Sequence, residues 1–163
     1  MEYRHLIDNP KYRDIWIHGY GNELGILTKV LKVRVEGTNT VFFIVKEDLP
    51  AARWKDVTYG RICCNFRPKK QYPHSVRLTM GGDRINYPDD CGTPTAGMLT
   101  LKLLLNSVIS TKGEKFMTVN IKYFYLNTPM KWYKYMRLKL AELPEGFVSE
   151  YKLQDKVTKD GYV

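Results

Sequence analysis

Residues 60–82 read GRICCNFRPKKQYPHSVRLTMGG, and this stretch decides the fold. The composition of Gly60 to Phe66 and of Ser75 to Met80 predicts two strands. Arg67 to Pro73 contains two prolines and three basic residues and predicts the turn between them. Gly81-Gly82 ends the second strand. The stretch therefore predicts an antiparallel hairpin with a basic turn.

Side chains alternate between the two faces of each predicted strand. Val76, Leu78 and Met80 fall on one face and Arg77 on the other. We expect the apolar face to be buried and the arginine to face solvent.

Upstream of the hairpin, Asn9-Pro10 is typical of a helix cap followed by a proline in the first turn. The apolar stripe of this predicted helix comprises Tyr12, Trp16, Tyr20, Leu24, Leu27 and Leu31. Thr40 to Lys46 predicts a strand, because it is rich in β-branched and aromatic residues. Leu49 to Asp56 predicts a loop.

Downstream, Asp83 to Gly92 predicts a polar loop, and Thr93-Pro94 predicts the start of a helix that stops by Gly113. The expected buried face of this helix comprises Met98, Leu101, Leu104, Leu105 and Val108. Phe116 to Asn120 predicts a short strand.

The last part of the chain predicts one more strand, Trp132 to Leu140, with Trp132, Met136, Leu138 and Leu140 on one side and Arg137 and Lys139 on the other. Val148 to Val163 is polar and predicts no closing element. The predicted fold class is α+β, an antiparallel sheet packed with two or three helices.

The net charge of +9 is unevenly distributed. Arg53 to Arg84 holds eight basic and two acidic residues, and Lys112 to Lys139 holds seven and one. Twelve tyrosines accompany these basic blocks. The pattern is typical of a polyanion-binding surface, most naturally for nucleic acid, and a merely soluble basic surface is the equal alternative on charge alone.

Three cysteines, Cys63, Cys64 and Cys91, have no spacing typical of a disulfide framework or a zinc site. The chain has no apolar run long enough to span a membrane, and Met1 to Pro10 lacks a signal-peptide core. We expect an intracellular protein, cytoplasmic or nuclear, with no membrane partner.

Four motifs in register resemble copia-type retrotransposon reverse transcriptases over roughly Ile15 to Tyr151. They are RLTMGG from Arg77, TPTA from Thr93, FMTVNIKYFYLNTP from Phe116 and YKYMRL from Tyr133. The resemblance implies a single fingers and partial palm domain over 1–163. Its fingers would cover about 1–92, the start of the palm about 93–145, and a polar tail 146–163.

The same resemblance implies roles for two residues that bind the incoming nucleotide. Arg77 matches the fingers arginine that touches the triphosphate, for which a forked guanidinium is suited. Tyr125 matches the aromatic sugar gate. A surface arginine and a packed palm aromatic are the alternative interpretations of these two residues.

Asn120 stands where the family carries its first catalytic aspartate. Polymerases hold Mg²⁺ between carboxylates and phosphate oxygens, and an amide lacks the negative charge. The family's remaining metal carboxylates lie on a Tyr-x-Asp-Asp hairpin that would follow Val163. We expect no catalytic residue, metal site or cofactor in this chain, although the full-length family uses Mg²⁺.

Tyr87-Pro88-Asp89-Asp90 looks like that hairpin but lies upstream of the first palm motif, and its proline favours a turn. We therefore predict no metal there. His5, His18 and His74 share no spacing, and no nucleophile elbow or phosphate loop is present.

The leading hypothesis is a fragment that is catalytically inactive alone and binds template–primer weakly through its basic hairpin. The expected nucleic-acid-binding residues are Arg61, Arg67, Lys69, Lys70 and Arg77. One alternative is a working polymerase subunit whose missing carboxylates come from another chain. A second is a remnant reused as a protein-binding module or a homo-oligomer that assembles through its exposed palm edge.

Overall fold

The computed structural model describes residues 2–31, 35–85, 87–88 and 95–163. Its contacts group the chain into two compact units, residues 1–86 with 125–163, and residues 87–124. Thr93-Pro94, the expected start of the second long helix, and Cys91 lie outside the described residues.

The regular elements in the described residues are as follows. The α-helices are α1 (Tyr3–Ile7), α2 (Arg13–Leu27), α3 (Met98–Ser110) and α4 (Glu145–Glu150). The strands are β1 (Val30–Leu31), β2 (Val35–Glu36), β3 (Thr58–Phe66), β4 (His74–Met80) and β5 (Met136–Arg137). Short 3-10 helices cover Lys46–Asp48, Ala51–Asp56, Gly82–Arg84, Leu140–Glu142 and Leu153–Lys156. The α+β fold class is confirmed.

The predicted hairpin is present. β3 and β4 pair antiparallel from Gly60↔Met80 to Phe66↔His74, and the Arg67 N–H donates to the Pro73 carbonyl at 2.7 Å across the turn. The expected faces are also confirmed, because Val76 is buried and Arg77 exposed. Cys64 is buried while Cys63 is exposed, as the alternation requires.

The main sheet is mixed, so the expectation of an antiparallel sheet is wrong in part. Its strand order is β4-β3-β5, and β5 runs parallel to β3 with Thr58↔Met136 and Tyr59↔Arg137. The expected strand Trp132 to Leu140 shrinks to Met136–Arg137. The chain then continues along residues 161–163, since Leu138 and Val163 exchange backbone hydrogen bonds of 2.8 and 2.9 Å.

Helix α2 packs on β4 and supplies the centre of the core. Trp16, Tyr20 and Leu24 are buried, as their spacing predicted, and the Tyr20 ring meets Tyr3 of α1 edge-on at 5.1 Å. The predicted start of the helix at Asn9-Pro10 is wrong, and the end, which the sequence left open, lies at Leu27. The Tyr12 and Arg13 N–H groups donate to the Asn9 carbonyl in a separate turn before the helix, and Leu31 lies in β1.

Thr40 to Lys46 does not form the expected strand. Its first N–H groups cap α2 instead: Thr40 and Val41 both donate to the Leu27 carbonyl, at 2.8 and 2.7 Å. The last carbonyls of a helix have no partner inside the helix, so a following segment that supplies N–H groups stabilises its end. The expected loop Leu49 to Asp56 contains the 3-10 helix Ala51–Asp56.

The end of the chain contradicts the expectation of a polar segment without a closing element. Phe147 and Val148 of α4 and Leu153 are buried in the core. Phe147 and Tyr151 stack with ring centroids 4.6 Å apart. These buried residues could not be predicted from composition, because charged residues separate the few apolar ones in this segment.

The second unit contains the predicted helix α3, but the expected buried face is wrong. No residue of α3 is buried, and Leu104 is 50% exposed. Phe116 to Asn120 forms no strand in this unit. The described part of the unit is one helix with irregular chain, which offers the leucines no opposing layer.

Candidate nucleic-acid interface

The register of the hairpin places two of the predicted site residues on one exposed face. Arg61 pairs with Thr79, and Arg77 pairs with Cys63. The two arginines are therefore diagonal neighbours across the strands, with Cα atoms about 7–8 Å apart. Both side chains are exposed. Such a spacing suits two phosphates of one strand of nucleic acid.

A third arginine joins this face from β5. Arg137 pairs with Tyr59 in the parallel register, so its side chain lies on the same side of the sheet as Arg61. Its guanidinium carbon lies 4.7 Å from the ring centroid of Tyr162. We call Arg61, Arg77 and Arg137 the arginine face. Sequence reasoning assigned Arg137 no role, although the alternation had placed it on a solvent side.

The turn of the hairpin carries the remaining predicted cations. Arg67, Lys69 and Lys70 are all exposed. Beside them lie two exposed aromatic rings, Tyr72 (79% exposed) and Phe66 (49% exposed). Aromatic rings among cations are typical of single-strand binding surfaces, where bases stack on the rings and phosphates meet the charges. In the sequence, Phe66 and Tyr72 carry no motif that marks them as binding residues.

Within the part of the chain that the structure describes, the cations of the hairpin form no ion pair with a carboxylate. Ion pairs among the described residues join Arg4 to Glu142, His5 to Glu2, Arg53 to Asp56 and Arg84 to Asp83. Arg61, Arg67, Lys69, Lys70 and Arg77 take part in none of these. A polyanion could therefore bind these cations without first breaking an ion pair within the protein.

The carboxylate of Glu23 in α2 interacts electrostatically with Arg77 of the arginine face. Its Oε1 accepts a 3.2 Å hydrogen bond from the Leu78 N–H, on the edge of β4 that faces away from β3. Burial raises the pKa of Glu23, while the Leu78 hydrogen bond and the Arg77 charge act in the opposite direction. Glu23 thus closes a strand edge and does not sit on the arginine face.

The structure does not bring the two remaining predicted positions into the hairpin. Tyr125 is 71% exposed and lies outside the hairpin, in the later stretch of the first unit. Asn120 is exposed on irregular chain in the second unit.

The prediction that this chain holds no metal ion stays a prediction. The described residues include no group of three His, Cys, Asp or Glu side chains that could hold a metal ion. Asn120 would offer one neutral carbonyl ligand. Asp89 and Asp90 of the Tyr87-Pro88-Asp89-Asp90 run lie outside the described residues.

Comparison with known protein families, curated proteins and solved structures found no match to this chain. Among the described residues, no helix is long and apolar enough to cross a membrane. The likeness to reverse transcriptases therefore rests on the sequence motifs alone.

Proposed function

We propose that this chain binds nucleic acid through the arginine face and the basic turn of its β3–β4 hairpin. The observation that carries the proposal is the register, which gathers Arg61, Arg77 and Arg137 on one exposed sheet face. Guanidinium groups donate forked hydrogen bonds to phosphate oxygens, and this geometry suits a nucleic-acid backbone.

The sequence motifs support the further proposal that this activity belongs to the fingers and partial palm of a copia-type reverse transcriptase. In that setting Arg77 contacts the triphosphate of an incoming nucleotide and Tyr125 lies beside its sugar. The chain by itself does not polymerise, because Asn120 cannot replace an anionic magnesium ligand. A primer-extension assay with Mg²⁺ or Mn²⁺ tests this part: template-directed extension by the purified chain would contradict it.

Binding to a labelled template–primer, followed by fluorescence anisotropy at about 50 and 200 mM salt, tests the main proposal. With about three phosphate contacts, counterion release weakens binding roughly 40-fold between these two salt concentrations. Absent binding, or binding of equal strength at both concentrations, would refute an electrostatic nucleic-acid interface.

A second candidate function is self-assembly, and the composition of α3 favours it. Leu99, Leu103 and Ile109 are 71%, 62% and 84% exposed. Clustered exposed apolar side chains mark association surfaces. Light scattering tests this function. A monomer at all concentrations would exclude it. A concentration-dependent oligomer that becomes a monomer in Leu103→Gln would support it.

A further inference from the structure

A cavity of about 260 Å³ opens in the first unit, beside β5 and away from the turn of the hairpin. Its apolar walls come from Ile44, Val57 and Met136, and its aromatic walls from Trp54, Tyr135 and Tyr162. Ligand pockets combine such apolar walls with a few placed polar groups.

Three cations line the cavity, and two of them are held on its aromatic walls. The Lys46 ammonium lies 5.3 Å from the Trp54 ring centroid, and the Arg137 guanidinium lies 4.7 Å from that of Tyr162. The Lys156 ammonium donates a 2.7 Å hydrogen bond to the Phe43 carbonyl. These contacts hold the charges in place before any ligand arrives.

The lining of the cavity carries a net positive charge. Asp160 is the acidic residue of the lining, against the three cations. None of Lys46, Arg137, Lys156 and Asp160 belongs to an ion pair of the described residues. An anionic ligand would therefore meet cations at the rim that are not already engaged in ion pairs of the described residues.

We propose that this cavity binds a small planar aromatic anion, of which a nucleoside monophosphate is the biological example we choose. The ring would occupy the space between the aromatic walls, and its anionic group would meet Arg137 and Lys46. Ligand pockets usually have volumes of about 300–1,000 Å³, so a cavity slightly below this range holds one ring system and leaves its charged substituent at the mouth.

The proposal is separate from nucleic-acid binding on the sheet, although Arg137 borders both places. The ligand here is a single small molecule in a cavity, and the polymer there lies across an exposed face. A chain that fails to bind template–primer can still bind the mononucleotide, so the two proposals fail independently.

The test titrates the whole ¹⁵N-labelled chain with dAMP, with deoxyadenosine and with inorganic phosphate. The indole N–H of Trp54, which donates to the Leu49 carbonyl at 3.2 Å, reports on the cavity in ¹H–¹⁵N spectra. Trp16 is buried and Trp132 lies outside the lining, so their indole signals serve as internal references. Trp54→Phe assigns the signal.

We expect dAMP to shift the Trp54 signal and to bind at least about tenfold more tightly than deoxyadenosine or phosphate, since charged hydrogen bonds and ring burial act together. Lys46→Gln and Arg137→Gln should each weaken dAMP about tenfold, and Arg61→Gln should leave it unchanged. Equal binding of phosphate, equal binding of deoxyadenosine, an unshifted Trp54 signal, or equal weakening by Arg61→Gln would each overturn the proposal.

Discussion

Two tyrosine hydroxyls, that of the half-buried Tyr151 and that of the buried Tyr20, differ in their hydrogen bonds. The Tyr151 hydroxyl accepts from the Val30 N–H at 3.1 Å and lies within bonding distance of Thr28 Oγ1, at 2.9 Å, and of the Val30 carbonyl. The Tyr20 hydroxyl is buried and has no hydrogen-bond partner among the described residues. Burial also raises the pKa of Tyr20. A buried polar group that is paired stabilises the fold, and one left unpaired costs free energy.

Replacing each tyrosine by phenylalanine should therefore have opposite effects. Tyr151→Phe should lower the free energy of unfolding by about 0.5–1.5 kcal/mol, because it removes the hydrogen bonds of a half-buried hydroxyl. Tyr20→Phe should raise it by about 1 kcal/mol. Urea unfolding measures both, with Tyr72→Phe on the exposed turn as the neutral control. A loss in Tyr20→Phe equal to that in Tyr151→Phe would show that the Tyr20 hydroxyl is bonded.

Glu23 makes stability depend on pH, and the sign follows from its raised pKa. Burial favours the protonated carboxyl in the folded chain, so the fold binds more protons than the unfolded chain just above the ordinary value of 4.5. The stability from Glu23 is complete below that value and is lost as the pH rises through the folded pKa.

Glu23→Gln keeps an acceptor for the Leu78 N–H and removes the titration. Stability of the unmodified chain relative to this variant should therefore fall as the pH rises from about 4 to 7. Thermal unfolding across this range measures it. A difference that stays constant, or that grows with pH, would mean that burial does not control this carboxyl.

At the level of elements, the hairpin could be predicted because its signals are local. The turn residues Arg67 to Pro73 and the alternation around Arg77 fix the pairing without help from the rest of the chain. Thr40 to Lys46 could not, because its N–H groups bond the end of α2, a contact that local propensity does not encode. The strand β5 similarly depends on a partner nearly 80 residues away, Thr58 for Met136.

The contact between the end of α2 and the following chain leaves no room for a side chain at Gly37. A Cβ there would lie 1.8 Å from the Thr28 carbonyl oxygen and 2.6 Å from that of Gly25. Both are backbone atoms and cannot move aside without breaking the cap. Gly82, by contrast, has nothing within 4 Å of an added Cβ.

Gly37→Ala should therefore destabilise the chain by about 3 kcal/mol, the upper part of the range for overpacking. Gly82→Ala should change stability by less than about 0.5 kcal/mol. Chemical denaturation of both variants is the measurement. If the two alanines had equal effects, the close approach of residue 37 to α2 would be wrong.

At the scale of the whole molecule, the excess of positive charge could be predicted from the sequence, but the surface on which the arginines meet could not. The basic blocks indicate a polyanion partner, and the basic hairpin together with the resemblance to reverse transcriptases points to Arg61 and Arg77. Arg137 could not be joined to them, because the parallel pairing of β5 with β3 is a long-range contact. The buried Phe147 and Leu153 were missed because the surrounding segment is polar.

Variants of the arginine face can show whether nucleic-acid binding depends on the position of the positive charges or only on the net charge. The chain carries +9, so any basic surface attracts nucleic acid to some extent. Arg61→Gln with Arg77→Gln and Lys11→Gln with Lys29→Gln each remove two positive charges, but only the first pair lies on the face. Lys11 and Lys29 are exposed and lie outside the hairpin.

The most direct test compares these two double variants in template–primer binding across a salt series. The arginine variant should lose affinity, and its slope of log affinity against log salt should become less negative by about 2. The lysine variant should keep the slope of the unmodified chain. Identical slopes for the two variants would contradict the claim that the hairpin face is where nucleic acid binds.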